Sequence, residues 1–250
     1  MSALKLKRFY AEVSVITIEG GSQIFLDGKP LSSPEKNALL LPNVHLSEAM
    51  AGEWRAQTKR VAPDTMPLTQ LAFTASDRVA PNRAAVIEQI TAFANSDVVC
   101  YRASKPSDLV MRQKESWDPI LEWADVVLGA SLLTGEGIGY VEQDYDALCA
   151  LTAAFSEKSD FYLAALYSLA SIGNSLLFAL AVAEKEIDAE EAFRCTNCDE
   201  IYQSEKWSIA PEARTRLKTR AKEYKVAAQF LMLLNEACPP ERTTAAGAPS

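Results

Sequence analysis

Cys195-x-x-Cys198 is the one spacing in this 250-residue chain that suits a metal or a redox pair. Zinc takes four ligands, and the sequence supplies a single histidine, His45, and no second cysteine pair. A redox Cys-x-x-Cys normally opens a helix, whereas these two fall well inside a predicted one. The pair therefore reads as one half-buried helical face, with no metal bound and no bond between the thiols in a reducing cytosol. Cys100, beside Tyr101 and Arg102, is a second candidate nucleophile. Its activating base would have to be His45, distant in sequence, and a core cysteine is the simpler reading. Asp77 and Arg78 are neighbours that diverge around a helix, so each needs its own partner. Asp97 and Arg102 are the candidates, in a clamp between a β part and a helical part.

The segment Asp199-Glu200-Ile201-Tyr202-Gln203-Ser204-Glu205-Lys206-Trp207 carries the densest polar-aromatic pattern. Asp199, Gln203 and Trp207 are four apart, and so are Ile201 and Glu205 on a neighbouring strip. Carboxylate, amide and indole in a row are what a protein-recognition surface uses, an aromatic anchor with charges that set register. From Ala181 to Ala210 eight acidic residues stand against three basic ones, a local net of −5. From Pro211 to Lys225 six basic residues stand against two acidic, a net of +4. Two adjoining helices of opposite sign are thus expected to pair across the break between them. The alternative for the same residues is a solvated surface that pairs only with itself, since exposed ion pairs contribute little.

The elements that position these groups follow from periodicity. Val13, Val15, Ile16 and Ile18 are β-branched, Gly20-Gly21-Ser22 marks a turn, and Asp27-Gly28 after Ile24-Phe25-Leu26 is a hairpin signal. Ala38 to Leu41 adds a short apolar run. From Leu46 the period becomes helical. Ser47 is the expected N-cap of a helix carrying Met50 and Trp54, Pro67 starts a second, and Asn82 caps a third with Val86, Ile90 and Phe93 inward. Asp118-Pro119 has the form of a helix start, cap then proline, ending at Gly129. Gly135, Gly137 and Gly139 mark a loop, not a dinucleotide fingerprint, because the third glycine comes too early. A helix with Leu148, Leu151 and Phe155 follows. Phe161 to Ala183 is long and apolar enough to span a bilayer, but its serines and Asn174 favour a single buried helix. Asp188 begins a helix expected to carry both cysteines and the Asp199 to Trp207 segment, and a final long helix runs to about Ala237. Residues 238–250, rich in Pro, Ala, Thr and Gly, read as a disordered tail.

Six further motifs complete the picture: Lys7-Arg8-Phe9-Tyr10, Leu26 to Leu31, Pro63 to Thr69, Asp77-Arg78-Val79, Ser96 to Arg102 and Trp117-Asp118-Pro119. With Asp199 to Trp207 they resemble, in the same order, the ATP synthase assembly chaperone family, over about Lys5 to Ala237. The resemblance implies a soluble factor that holds the free alpha subunit of the catalytic head. It also implies that Asp199, Glu200, Gln203, Glu205 and Trp207 are partner-binding, and that Asp77, Arg78, Asp97, Arg102, Trp117 and Asp118 are structural. The family usually has a glycine where this chain has Ser208.

Composition agrees with a soluble globular protein: 48% apolar and 23% charged residues, with a net charge of −8. That charge argues against nucleic acid, which needs clustered Lys and Arg. Five cysteines form no visible disulfide framework and fit a reducing compartment. The first motif arrives before any secretory h-region or transit peptide could fit. This places the protein where it is made, the cytoplasm of a bacterium, or in the mitochondrial matrix as a processed form. The expected fold is α+β: a small antiparallel β-rich module with flanking helices over residues 1–78, then a larger helical bundle over 79–237. The expected function is non-enzymatic, a monomeric chaperone without cofactor or membrane insertion, whose partner is the unassembled alpha subunit. Two rivals remain: a generic protein-binding adaptor, and an enzyme with a small-molecule pocket between the modules using Asp77, Arg102 or Glu205.

Overall fold

The computed structural model describes residues 7–137, 139–207 and 210–235. The expected tail and Ser208 lie outside them. The fold is α+β. Strands β1 (Val13–Ile18), β2 (Gly21–Leu26) and β3 (Lys29–Pro30) form an antiparallel sheet in the order β1-β2-β3. The register opposes Val13 to Leu26 and Ile18 to Gly21. Asp27 and Gly28 both take positive φ, as the β2–β3 turn requires. Asp27 also accepts the Ala11 and Glu12 amides, which fastens the chain entering β1.

Helix α1 (Val44–Arg55) packs on one sheet face through Leu46, Met50 and Trp54. Its N-cap is Asn43, not Ser47: the Asn43 side-chain oxygen Oδ1 accepts the Leu46 amide at 2.9 Å. Ser47 is buried one turn in and bonds back to the Asn43 carbonyl. Asn43 also donates to the Leu233 carbonyl, 190 positions away, so one side chain joins the first helix to the end of the last. Helix α2 (Pro67–Thr74) begins with proline as expected, and its open amides at Leu68 and Thr69 are accepted by Glu53 at 2.8 Å each. The chain then widens into a π-type turn over Ala75–Val79 and enters α3 (Arg83–Ala92). The Arg78 boundary falls inside that turn, and buried residues from both sides of it share one apolar cluster, from Tyr10 to Leu231.

Helix α4 (Ser107–Trp123) corrects the expected start at Asp118. Pro119 lies inside it, and Asp118 is held mid-helix by Arg102. Gly129 ends the following turn in the left-handed region, as expected. A two-residue parallel pair, β4 (Tyr101–Arg102) with β5 (Gly135–Glu136), closes the loop, and α5 (Tyr145–Ala153) follows.

The apolar run from Phe161 to Ala183 is buried but is not one helix. It forms α6 (Asp160–Gly173) and α7 (Leu176–Ala183), broken where Asn174 turns left-handed (φ 51°) and Ser175 caps the second helix. Among the described residues no helix is long and apolar enough to cross a membrane. Asp188 caps α8 (Ala189–Thr196) by accepting the Glu190 and Glu191 amides, as its spacing predicts. That helix then stops at Asn197, so the expected continuous helix is two, with α9 (Cys198–Lys206) starting anew. Helix α10 (Pro211–Asn235) runs back along α6, burying Tyr224, Ala227, Phe230 and Leu231.

Candidate functional site

Helix α9 is held on two sides. Towards α4, Gln113 is fully buried and spans two elements, donating to Asp199 at 2.7 Å and accepting the Ala103 amide at 2.8 Å. Arg112 reaches Glu205 at 2.7 Å. Asp108, in the first turn of α4, accepts the Tyr202 hydroxyl at 2.8 Å and the Lys206 ammonium at 3.0 Å. The Tyr202 ring meets two cations, with the Arg112 guanidinium 5.5 Å and the Lys206 ammonium 5.3 Å from its centre. Towards α10, Glu200 pairs with Arg220 at 3.2 Å, and Arg220 also donates to the Ile172 carbonyl in the last turn of α6. The acidic and basic helices therefore do pair across their break, through Glu200–Arg220 and Glu190–Lys225.

The electrostatics follow from these contacts. The Arg112 hydrogen bond holds Glu205 below the usual carboxylate range. The Tyr202 hydroxyl and then Lys206 do the same for Asp108. The Lys206 and Arg112 pKa values are raised in return, chiefly by their acidic partners Asp108 and Glu205. Each shift favours the charged form, so Asp108 with Lys206 and Glu205 with Arg112 are held as ion pairs at neutral pH.

The expected row of Asp199, Gln203 and Trp207 is thus divided, and Glu200 and Glu205 lie on separate sides of α9. Asp199 is half-buried against α4, Glu205 lies on the rim of that contact, and Glu200 faces α10. Helix α9 ends at Lys206, and Trp207 is extended (φ −130°), so the four-residue spacing does not carry the indole onto the helical row. Gln203 and Trp207 face solvent, and Trp207 is 65% exposed. The result is a bare indole at the end of a helix that is fixed in place by its neighbours.

Of the structural-signature residues, Trp117, Arg102 and Asp118 converge behind this face. The Trp117 indole is wholly buried and donates to the Cys195 carbonyl at 2.9 Å. The Arg102 guanidinium sits 5.1 Å above that indole and pairs with Asp118 at 2.9 Å. Asp97 accepts the Leu177 amide at 3.0 Å and the Val99 amide at 3.2 Å. The expected pairing of Asp77 or Arg78 with Asp97 or Arg102 is not what forms. Asp77 accepts from Ser33, from Asn37 (2.8 Å) and from the Glu35 amide (3.2 Å), which ties the loop after β3 to the turn after α2. Arg78 is exposed, and its carbonyl accepts from Asn82.

Cys195 and Cys198 lie on either side of the α8–α9 break, both buried. Burial pushes both thiols up, Cys198 to about 11. Cys100 is pushed up to about 12, first by burial and then by Asp97, the opposite of an activated nucleophile. Among the described residues no group of three or more His, Cys, Asp and Glu is placed to hold a metal. A groove of about 1150 Å³ runs between α1, α2, α6 and α10, with Glu53, Asp64, Lys222 and Glu223 on its walls. Asp77, Arg102 and Glu205 take no part in it; Arg102 borders a separate pocket of about 360 Å³ with Asp118 and Glu136.

Asp108, Arg112, Gln113 and Arg220 were missed by the sequence reading. The charged face of α4 was the available signal, but the partners lie 86 to 94 positions away for the α4 bonds.

The chain is similar to known proteins in sequence and fold. A family model described as ATP12 chaperone protein matches residues 7–125. The crystal structure of Atp12 from Paracoccus denitrificans is 36% identical and superposes with a TM-score of 0.88, covering 92% of this chain and 98% of that one. The Atu1473 protein of Agrobacterium tumefaciens is 38% identical with a TM-score of 0.85, over 90% of this chain and 85% of that one. Protein atp12, mitochondrial, of Schizosaccharomyces pombe is 25% identical over 219 residues, 83% of this chain and 75% of the relative.

Proposed function

The chain belongs to the ATP12 family of ATP synthase assembly chaperones, and from that membership we propose that it holds the unassembled alpha subunit of the synthase head. It covers apolar surface that the beta subunit later occupies, and so keeps the free subunit from associating with itself. An obligate oligomer interface is large and apolar, which makes the free subunit prone to aggregation. Release needs no hydrolysis, because a partner that binds the same surface more tightly displaces the chaperone by competition. The protein acts as a monomer, without catalysis or cofactor, in the bacterial cytoplasm or in the matrix of a mitochondrion.

The observation that supports this reading most is Trp207, 65% exposed at the end of a helix that Asp108, Arg112, Gln113 and Arg220 hold still. A large aromatic presented on a rigid support loses little entropy on binding, the property of an interface anchor. Gln203 and Glu205 flank it as polar rim. The test is suppression of aggregation of purified alpha subunit by wild-type protein and by Trp207→Ala. We expect wild type to protect at near-equimolar ratio and the variant to need at least about tenfold more protein, with melting unchanged. Equal protection by both would remove Trp207 from the client surface. Failure of wild type to protect would remove the alpha subunit as client.

A further inference from the structure

The sheet exposes a second surface, which α9 does not touch. In β1–β2 the residues opposite one another alternate between bonded and unbonded pairs. Glu12 accepts the Asp27 amide, so the even-numbered residues of β1 turn their backbone groups towards β2. Ser22 and Ile24 turn theirs away, to Leu41 and Leu31, so Thr17 and Val15, which oppose them, turn theirs outward as well. Val13 is the third such residue, and its carbonyl is covered by the Arg55 guanidinium at 3.4 Å. Among the described residues no backbone group pairs with the outward N–H and C=O of Val15 and Thr17.

The outer face of the same sheet sets exposed apolar residues beside Ser14 and Gln23, where an antiparallel sheet covered on one side is ordinarily polar throughout. Val13, Val15 and Thr17 share the α1 face with Ile24 and Leu26, which puts Ile16, Ile18 and Phe25 on the other. Ile16 and Ile18 are 46% and 40% exposed, and Leu40, packed against Gly21, is 40% exposed. The edge also lacks the lysine, proline or bulge with which native sheets block further pairing.

We propose that the outer edge of β1 accepts an extended segment of a client chain by strand addition, one with alternating apolar residues and basic residues at its ends. Charge selects that occupant. The strand carries no charge between Val13 and Ile18, but Glu12 and Glu19 close its two ends. A second copy pairing antiparallel on this edge would bring the Glu19 end of one strand alongside the Glu12 end of the other, negative beside negative at both ends, whereas a basic-flanked strand meets opposite charge there. That the segment comes from a client rests on the chaperone reading above; the geometry of the edge does not.

The test uses the full chain and a fluorescent ten-residue peptide of alternating valine and threonine with a lysine at each end, followed by anisotropy. The same peptide N-methylated along its backbone keeps the side chains and charges but loses the donors. We expect the methylated peptide to bind at least tenfold more weakly, and Thr17→Pro to weaken the unmethylated peptide by a similar factor. Proline at position 17 removes an outward N–H without touching a β1–β2 hydrogen bond. Equal affinity for the two peptides overturns the proposal whether or not the proline variant folds. Sedimentation of the protein alone is the third arm, and a dimer abolished by Thr17→Pro would give the edge to a second copy and overturn the assignment of a client strand. None of these arms contains the alpha subunit, so failure here is separate from failure of the client reading.

Discussion

The Asp97 carboxylate accepts the Leu177 amide at 3.0 Å, joining two residues 80 positions apart at the first turn of α7. Ser175 and the Leu176 amide lie against the same carboxylate, all of it out of water. The amides favour the charged form, but burial outweighs them and raises the pKa from 3.8 to about 6. The folded state therefore holds this proton more tightly than the unfolded chain does. The stability it contributes is complete below about pH 4 and is lost as pH rises through about 6. Its size is on the order of 2–3 kcal/mol. Asp108, Asp27 and Glu205 are shifted the other way and lose stability as pH falls, so the measurement is a difference. Melting of Asp97→Asn and wild type from pH 4 to 7 should show the wild type losing ground to the variant steadily over pH 4–6, since the groups shifted the other way act in both. Parallel curves would mean that Asp97 does not titrate in this window.

Gly173, the last residue of α6, lies against side chains of both α8 and α10. A Cβ there would lie 3.1 Å from Tyr224 Cε2 and 3.3 Å from Thr196 Cγ2. Tyr224 is fully buried and cannot swing out. Gly173→Ala should therefore overpack the junction and cost about 1–3 kcal/mol. Urea unfolding should show a lower midpoint with an unchanged slope. An unaltered midpoint would mean that α10 yields by a few tenths of an ångström without penalty.

Local chemistry explains which elements were legible. The Asp27-Gly28 turn, the Pro67 start, the Gly129 stop and the Asp188 cap each depend on residues within a few positions, and each forms as expected. Asp118-Pro119 failed because a distant arginine holds Asp118 on the side of a helix already running. The break at Gly173-Asn174-Ser175 carried its own signal, a left-handed stop followed by a serine cap, but the apolar run around it dominated the periodicity. Asp97, docked on the amide of Leu177, adds a partner 80 positions away for the open first turn of α7. At the site, residue types pointed to α9 correctly as a charged helix. Which of its sides stayed open depended on Gln113, Arg112 and Arg220, and no spacing within α9 encodes them.

Cysteine accessibility gives a third prediction. Cys149 is exposed, whereas Cys100, Cys195 and Cys198 are buried with thiols shifted upward. Alkylation of native protein at neutral pH, resolved by site in a mass spectrometer, should modify Cys149 roughly a hundredfold faster than the three buried thiols. Denaturant should abolish the difference. Fast labelling of Cys195 or Cys198 in the native state would mean that the α8–α9 break opens readily, and the rigid support assumed for Trp207 would fail with it.

The last prediction separates two roles of Glu205. Its bond to Arg112, with both side chains partly exposed, positions α9 on α4, while its place on the rim puts it within reach of a client. Glu205→Arg alone sets two guanidinium groups together and should disturb both roles. The exchange Arg112→Glu with Glu205→Arg rebuilds the pair with its polarity reversed. Melting of the exchange should return towards wild type, since an ion pair of the same geometry replaces the first. Protection of the alpha subunit should stay at least about tenfold weaker, because the client then meets a positive charge in place of a carboxylate. The single variant should be the least stable of the three. If the exchange restores protection as fully as it restores melting, Glu205 serves only to hold the helix, and the client contact lies with Trp207 and Gln203 alone.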